Sequence, residues 1–219
     1  MSQRLRFRIS VSLDGYTAGP NQSVETPLGV GGESLHDWVV PLAAWRSAHG
    51  MEGGEVNGST GVMEELADNI GGTIMGRNMF GGHPGPWRED DPWTGWWGRS
   101  PPFHHPVFVL THHPRPRLEL EGGSSFTFVT DGIESALRQA RQAAAGRDIA
   151  LAGGANVAKQ FLNAGLVDEM ALHVVPILLG GGERLFDDVR DLGDLALVRT
   201  VPAPGVVHLR FERHTGAPA

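Results

Sequence analysis

Residues 148–162 read DIALAGGANVAKQFL. A short apolar run meets two adjacent glycines and passes at once into apolar residues at helical spacing. A strand that feeds straight into a helix belongs to an α/β fold, where the helix covers a face of the sheet. The glycines add a second constraint. Without a Cβ the backbone can turn sharply, and another group can approach it closely. The helix beginning near Ala155 and Asn156 offers unpaired N–H groups and the positive end of its dipole. Such a turn is either an anion site, with pyrophosphate the first choice, or a plain strand-to-helix connection. The G-x-G-x-x-G fingerprint after the first strand is absent.

The remaining pattern extends this unit along the chain. Residues 5–13 (LRFRISVSL) alternate apolar and polar side chains and read as a half-buried strand. After a Gly/Pro loop, Ser34 reads as an N-cap for a helix carrying Leu35, Trp38, Val39, Leu42 and Trp45, kinked or split at Pro41. A second helix is expected over 60–69, with Val62, Leu66 and Ile70 on one face. Strands are expected at 72–77, 105–111 and 126–130, and Asp131 reads as the cap of a helix running to about 145. The strand at 148–153 leads into a helix ended by Gly165, and 167–179 reads as a further strand. Segments 194–201 and 206–213 form a hairpin about PAPG. Alternating helices and strands predict one three-layer α/β domain over residues 1–219, with a mostly parallel, mixed sheet and an antiparallel C-terminal hairpin.

Composition narrows the partners. Eighteen basic residues stand against 25 acidic ones, a net charge of -7, and Lys159 is the lone lysine. That balance argues against a nucleic-acid or anionic-membrane surface. With no cysteine, disulfides, thiolate catalysis and cysteine-bound zinc are excluded. No signal peptide is expected from the first fifteen residues, and no run of about 18 apolar residues predicts a membrane span. The expected compartment is the cytoplasm.

Two more strand ends offer phosphate chemistry. TIMGRNMF ends a strand at Gly76 and follows it with Arg77, whose planar fork suits a phosphate or simply the surface. VLTHHP adds the Thr111 hydroxyl. Open α/β sheets bind ligands at the C-terminal ends of their strands, so three such ends favour a nucleotide. For a proton donor, Asp14 in SLDG is the first candidate by position, and it also reads as a turn aspartate. Trp87, Trp93, Trp96 and Trp97 share one Pro/Gly loop, either a lid over a flat heterocycle or a hydrophobic plug or dimer contact. The pairs His104–His105 and His112–His113 lack carboxylates at ligand spacing, and neighbours on a strand point to opposite faces, so no metal is expected.

TIMGRNMF, VFVLTHHP and ALAGGANVAKQFLNAGLVDEMALHVVPILLGGGERLF, with ISVSLDGYTAG, resemble blocks of the dihydrofolate reductase-like superfamily. The closer resemblance is to its RibD C-terminal branch, the riboflavin-biosynthesis reductase domain and its stand-alone relatives, over roughly residues 5–213. The resemblance implies a dihydrofolate reductase-like fold, NADPH as hydride donor, a small heterocyclic or carbonyl substrate, and commonly a homodimer. It places the pyrophosphate on Gly153, Gly154, Ala155 and Asn156. Gly76 and Arg77 then run along the phosphates, with Arg77 a candidate for the 2'-phosphate. Thr111 lies near the adenosine end and Ala18 beside the nicotinamide. Asp37, on the first helix, is the second proton-donor candidate: it reads as the counterpart of a carboxylate that binds the pterin ring in folate-reducing members, or as a solvated helix residue. The glycine loop LLGGGERLF (178–186) shapes the far wall of the substrate pocket. Bifunctional riboflavin enzymes add a zinc deaminase with H-x-E and P-C-x-x-C, which a chain without cysteine does not carry. The rival expectation is a nucleotide-binding protein without turnover.

Overall fold

Leu5, Phe7, Ile9 and Val11 alternate with Arg6, Arg8, Ser10 and Ser12 along the first strand, β1 (Leu5–Ser12). Successive side chains of a strand face opposite sides of its sheet. The apolar set enters the main core with Ile74, Leu151 and Phe161. The polar set lies on the opposite face. This computed structural model describes residues 3–90 and 92–214.

Ten further strands follow in chain order: β2 (Tyr16–Ala18), β3 (Ile70–Gly76), β4 (Pro106–Leu110), β5 (Leu118–Glu119), β6 (Ser125–Val129), β7 (Asp148–Gly153), β8 (Glu169–Val175), β9 (Glu183–Arg184), β10 (Leu195–Ala203) and β11 (Val206–Arg213). Nine of the eleven strands form one sheet in the order β10-β11-β8-β1-β7-β3-β4-β6-β5. The strands from β8 to β6 run parallel. β11 and β10 join antiparallel at one edge and β5 at the other. The fold is therefore the expected mixed α/β sheet with its antiparallel C-terminal hairpin. β2 and β9 pair separately.

Five α-helices are α1 (Ala43–Ala48), α2 (Gly58–Ala67), α3 (Arg77–Phe80), α4 (Ile133–Ala143) and α5 (Ala155–Asn163). Buried residues of α4 and α5 pack on one sheet face in the main core. The other face is covered twice, by a cluster around Leu35, Trp38 and Leu42 and by one around Phe80 and Phe126. β1, β7, β3 and β4 are consecutive neighbours, so their C-terminal ends open side by side. Among the described residues no helix is long and apolar enough to cross a membrane.

Several local expectations need correction. The helix expected from Ser34 is a 3₁₀ turn over Gly32–His36, followed after an irregular stretch by the short α1. Gly31, at φ 75°, enters that turn and Ser34 does not cap it. Pro41 separates the two pieces, because it cannot donate within a continuous helix. Asn57 caps α2, accepting from Ser59 N and completing a capping box with Thr60. Ile70 is not on that helix but opens β3, because Asn69 turns the chain at φ 59°. Gly132, not Asp131, precedes α4, without a side-chain cap. The strand expected over 167–179 ends at Val175, before Pro176. Gly165 does close α5: at φ 62° it donates to Leu162 O, and Leu166 donates to Phe161 O.

Candidate functional site

A cleft of about 760 Å³ opens across the C-terminal ends of β1, β7, β3 and β4. Ala18, Gly76, Arg77, Thr111, Gly154, Ala155 and Asn156 all line it. These residues come from four separate segments and meet because the sheet order sets their strand ends beside one another.

At the centre lies the glycine turn. Gly153 adopts φ 104° and is joined to Gly154 by a cis peptide bond. Gly154 sits at φ -70° as the N-cap of α5, and no side chain caps the helix. The first N–H groups of α5 are therefore left to whatever enters the cleft. A Cβ built on Gly154 would meet nothing within 4 Å, so open space lies in front of the turn. Of the two glycines, Gly153 needs its freedom for conformation and Gly154 leaves room. A Cβ at Gly76 would come within 2.8 Å of Val157 Cγ2, so that glycine lets β3 end close against α5. Asn156 Oδ1 is held by Gln160 Nε2 at 2.8 Å.

Arg77 opens α3 with its guanidinium 3.6 Å from the centroid of the Trp87 ring. One of its terminal nitrogens donates to His83 O at 2.8 Å, whereas its Nε is buried without a partner. Burial, and then the nearby Arg115, lower its pKa to about 10. It stays cationic at neutral pH. The buried Thr111 accepts from His113 N at 3.1 Å.

The tryptophan loop divides its work. Trp87, Trp93 and Trp97 pack on the cluster around Phe80 and Phe126. Trp93 and Trp87 anchor their indoles to Phe80 O and His113 O, each at 2.8 Å. Gly81, at φ 84°, makes the seat: a Cβ there would lie 2.4 Å from the Trp96 ring. Trp96 and Trp97 face the cleft. The loop is at once a plug and a wall.

Asp14 and Asp37 are not among the residues lining the cleft. Asp14 is half-buried at the foot of the loop after β1. Its carboxylate accepts from Ser12 Oγ at 2.6 Å, Leu179 N at 3.1 Å and Gly180 N at 2.7 Å. The Ser12 hydroxyl foremost, then the two amides, hold the carboxyl at about 2, outweighing burial. It is ionised at neutral pH. Asp37 is exposed. Its neighbour His36 lines the cleft instead, its Nδ1 buried without a partner, and burial lowers its pKa. The 3₁₀ turn rotates His36 rather than Asp37 toward the opening. Ser10, Thr17 and Glu183 share that end of the cleft. Ser10 is the one with a signal in the sequence, through the period of two along β1.

The glycine loop at 178–186 closes on the loop that bears Ala18. Thr17 Oγ1 donates to Glu183 O at 3.2 Å. Gly182 takes φ 113°, where a Cβ would lie 2.1 Å from Ala18 O. Among the described residues no three His, Asp or Glu gather as metal ligands. His105 bonds Thr73 Oγ1 at 2.8 Å, and His104 bonds Gly122 O.

Comparison with known proteins agrees with this fold. Residues 3–214 match the RibD C-terminal domain. The uncharacterized protein YyaP of Bacillus subtilis (strain 168) is 37% identical over 216 residues, covering 95% of this chain and 94% of that protein. Among solved structures, a putative riboflavin biosynthesis protein from Shewanella sp. PV-4 superposes with a TM-score of 0.61 at 21% identity, covering 97% of this chain and 99% of that one. The Enterococcus faecalis dihydrofolate reductase, solved with NADP(H), gives 0.53 at 15% identity over 96% of each chain. At these identities the two structures establish the fold alone. The chain belongs to the RibD C-terminal domain family.

Proposed function

We propose that this chain is an NADPH-dependent reductase of a small heterocyclic or carbonyl compound. One observation carries the reading: a single cleft gathers an uncapped helix start, a glycine turn with open space before it and a cation with an unpartnered buried nitrogen. Those are the properties that a pyrophosphate and a further phosphate require. NADPH supplies a hydride when bound. The protein's share is to bind, orient and provide a proton. Gly154, Ala155 and Asn156 hold the pyrophosphate against the start of α5. Arg77, braced on Trp87, takes the 2'-phosphate, and Thr111 lies toward the adenosine.

Ala18 carries the loop that bears on the reacting end. Asp14 is a positioning residue in this reading, since a carboxylate ionised at neutral pH and tied to two amides of the 178–186 loop holds Ala18's loop in place. The proton comes from water at the His36 end of the cleft, oriented by the neutral imidazole. The reading includes a homodimer, as the family resemblance implies, in the cytoplasm.

Calorimetric titration with NADPH and NADH tests the binding half. Mixing the NADPH complex with pteridines, pyrimidines and quinones, while following loss of reduced-nicotinamide absorbance, tests the catalytic half. Tight NADPH binding with oxidation by one of these classes is expected. Binding without turnover across the panel would leave a nucleotide-binding protein.

A further inference from the structure

Ser10, Ser12 and Thr17 are buried hydroxyls of β1 and β2, and two of them donate within the protein. Ser12 donates to Asp14 Oδ1 at 2.6 Å and Thr17 to Glu183 O at 3.2 Å. Ser10 does not. Its Oγ accepts the indole N–H of Trp38 at 3.1 Å, and no described residue accepts the hydrogen of Ser10 itself. Ser10 lines the cleft. A buried hydroxyl whose hydrogen has no acceptor costs stability until one arrives.

His36 is the matching case. It lines the cleft too, and its Nδ1 is buried without a partner. The two residues are joined through Trp38. This side chain lies two residues beyond His36, holds Ser10 by its indole, and packs on His173 and His208 with ring centroids 4.8 and 4.9 Å away. Ser10 and His36 are therefore presented to the cleft by one packed unit. Burial lowers the His36 pKa, so its ring is neutral at pH 7 and one ring nitrogen keeps a lone pair. Among the described residues that line the cleft, the charged ones are Arg77, beside Trp87, and Glu183. Glu183 receives the Thr17 bond on its main-chain oxygen, so its carboxylate stands at the end away from Arg77 and disfavours an anion there.

We infer that Ser10 and His36 together read the lactam edge of an uncharged heterocycle: Ser10 Oγ–H donates to its carbonyl oxygen, and His36 Nδ1 accepts from the adjoining ring N–H. The inference rests on the reductase reading, which assigns NADPH to the Arg77 end, and it narrows the substrate to amide-type rings without phosphate or carboxylate. The His36 proton then sits on Nε2.

Three pyrimidines serve as probes of the NADPH-loaded protein at pH 7. Uracil offers adjoining C=O and N–H groups, 1,3-dimethyluracil keeps the carbonyls without an N–H, and orotate adds a carboxylate. Calorimetry on wild type is expected to give uracil about tenfold tighter binding than 1,3-dimethyluracil, the scale of one buried hydrogen bond. Orotate binds more weakly than uracil. His36→Phe keeps a ring in place and closes the gap between uracil and its dimethyl derivative. Ser10→Ala weakens both about tenfold and leaves the gap, because both present a carbonyl. That variant also orphans the Trp38 indole and lowers Tm. Trp38→Phe breaks the same internal bond but keeps the Ser10 hydroxyl, so it lowers Tm with a smaller loss of uracil binding. The proposal is overturned by wild type that binds uracil no better than 1,3-dimethyluracil, by orotate as the tighter ligand, by a gap that survives His36→Phe, or by equal losses in Trp38→Phe and Ser10→Ala. The cofactor reading fails separately, if wild type shows no NADPH-induced rise in Tm.

Discussion

The Asp14 carboxylate accepts a 2.7 Å hydrogen bond from the Gly180 amide, across 166 residues of sequence. With the bond from Leu179 N it ties the end of β1 to the glycine loop that closes on Ala18. Asp14→Asn cannot satisfy both amides with its single oxygen. It should therefore lower Tm at pH 7 and weaken turnover more than NADPH binding. An unchanged Tm would show that the tether contributes nothing.

Acid should weaken the fold in two windows. Burial holds His173 down to about 3 and His208 to about 4, and the two Nδ1 atoms share a 2.8 Å hydrogen bond. A base depressed in the folded state stabilises fully above its unfolded pKa, and that contribution is lost as pH falls. Stability should thus begin to fall near pH 6.5 and continue toward 4 and 3. Asp14, lowered from 3.8 to about 2, adds its loss below pH 4. Tm measured against pH should show the upper limb flatten in His208→Gln and the lower one in Asp14→Asn. An upper limb unchanged in His208→Gln would clear the histidine pair.

Arg77→Ala should weaken NADPH roughly tenfold to a hundredfold and NADH little, given about 1.5–3 kcal/mol for a charge-assisted bond. Equal losses in calorimetry would make Arg77 a brace for Trp87 and nothing more.

Gly182→Ala forces a Cβ to 2.1 Å from Ala18 O at φ 113°. Strain of this kind costs about 1–3 kcal/mol, which lowers Tm on the order of 5 °C in a chain of this size. Gly85→Ala, also at positive φ but with nothing within 4 Å of its Cβ, controls for conformation alone and should fall less.

The three strand ends that build the cleft were legible because each is a short apolar run closed by glycine, arginine or threonine, and parallel sheets bring such ends together. His36 was not legible. The resemblance to folate-reducing members put Asp37 forward, and the 3₁₀ turn entered through Gly31 turns the neighbouring imidazole inward instead. The division of the tryptophans depends on Gly81 at φ 84°, a backbone angle that no pattern of side chains reveals.

The most direct test lies at the glycine turn. Gly154 has φ -70° and open space before it, so Gly154→Ala should fold and melt within a few degrees of wild type. NADPH at a hundred times its Kd stabilises a binding protein by about 2.7 kcal/mol. The measurement is Tm with and without NADPH for both proteins. Wild type should rise and Gly154→Ala should not, because its methyl occupies the place of the pyrophosphate. A mutant that gains the full shift, or a wild type that gains none, would contradict the account.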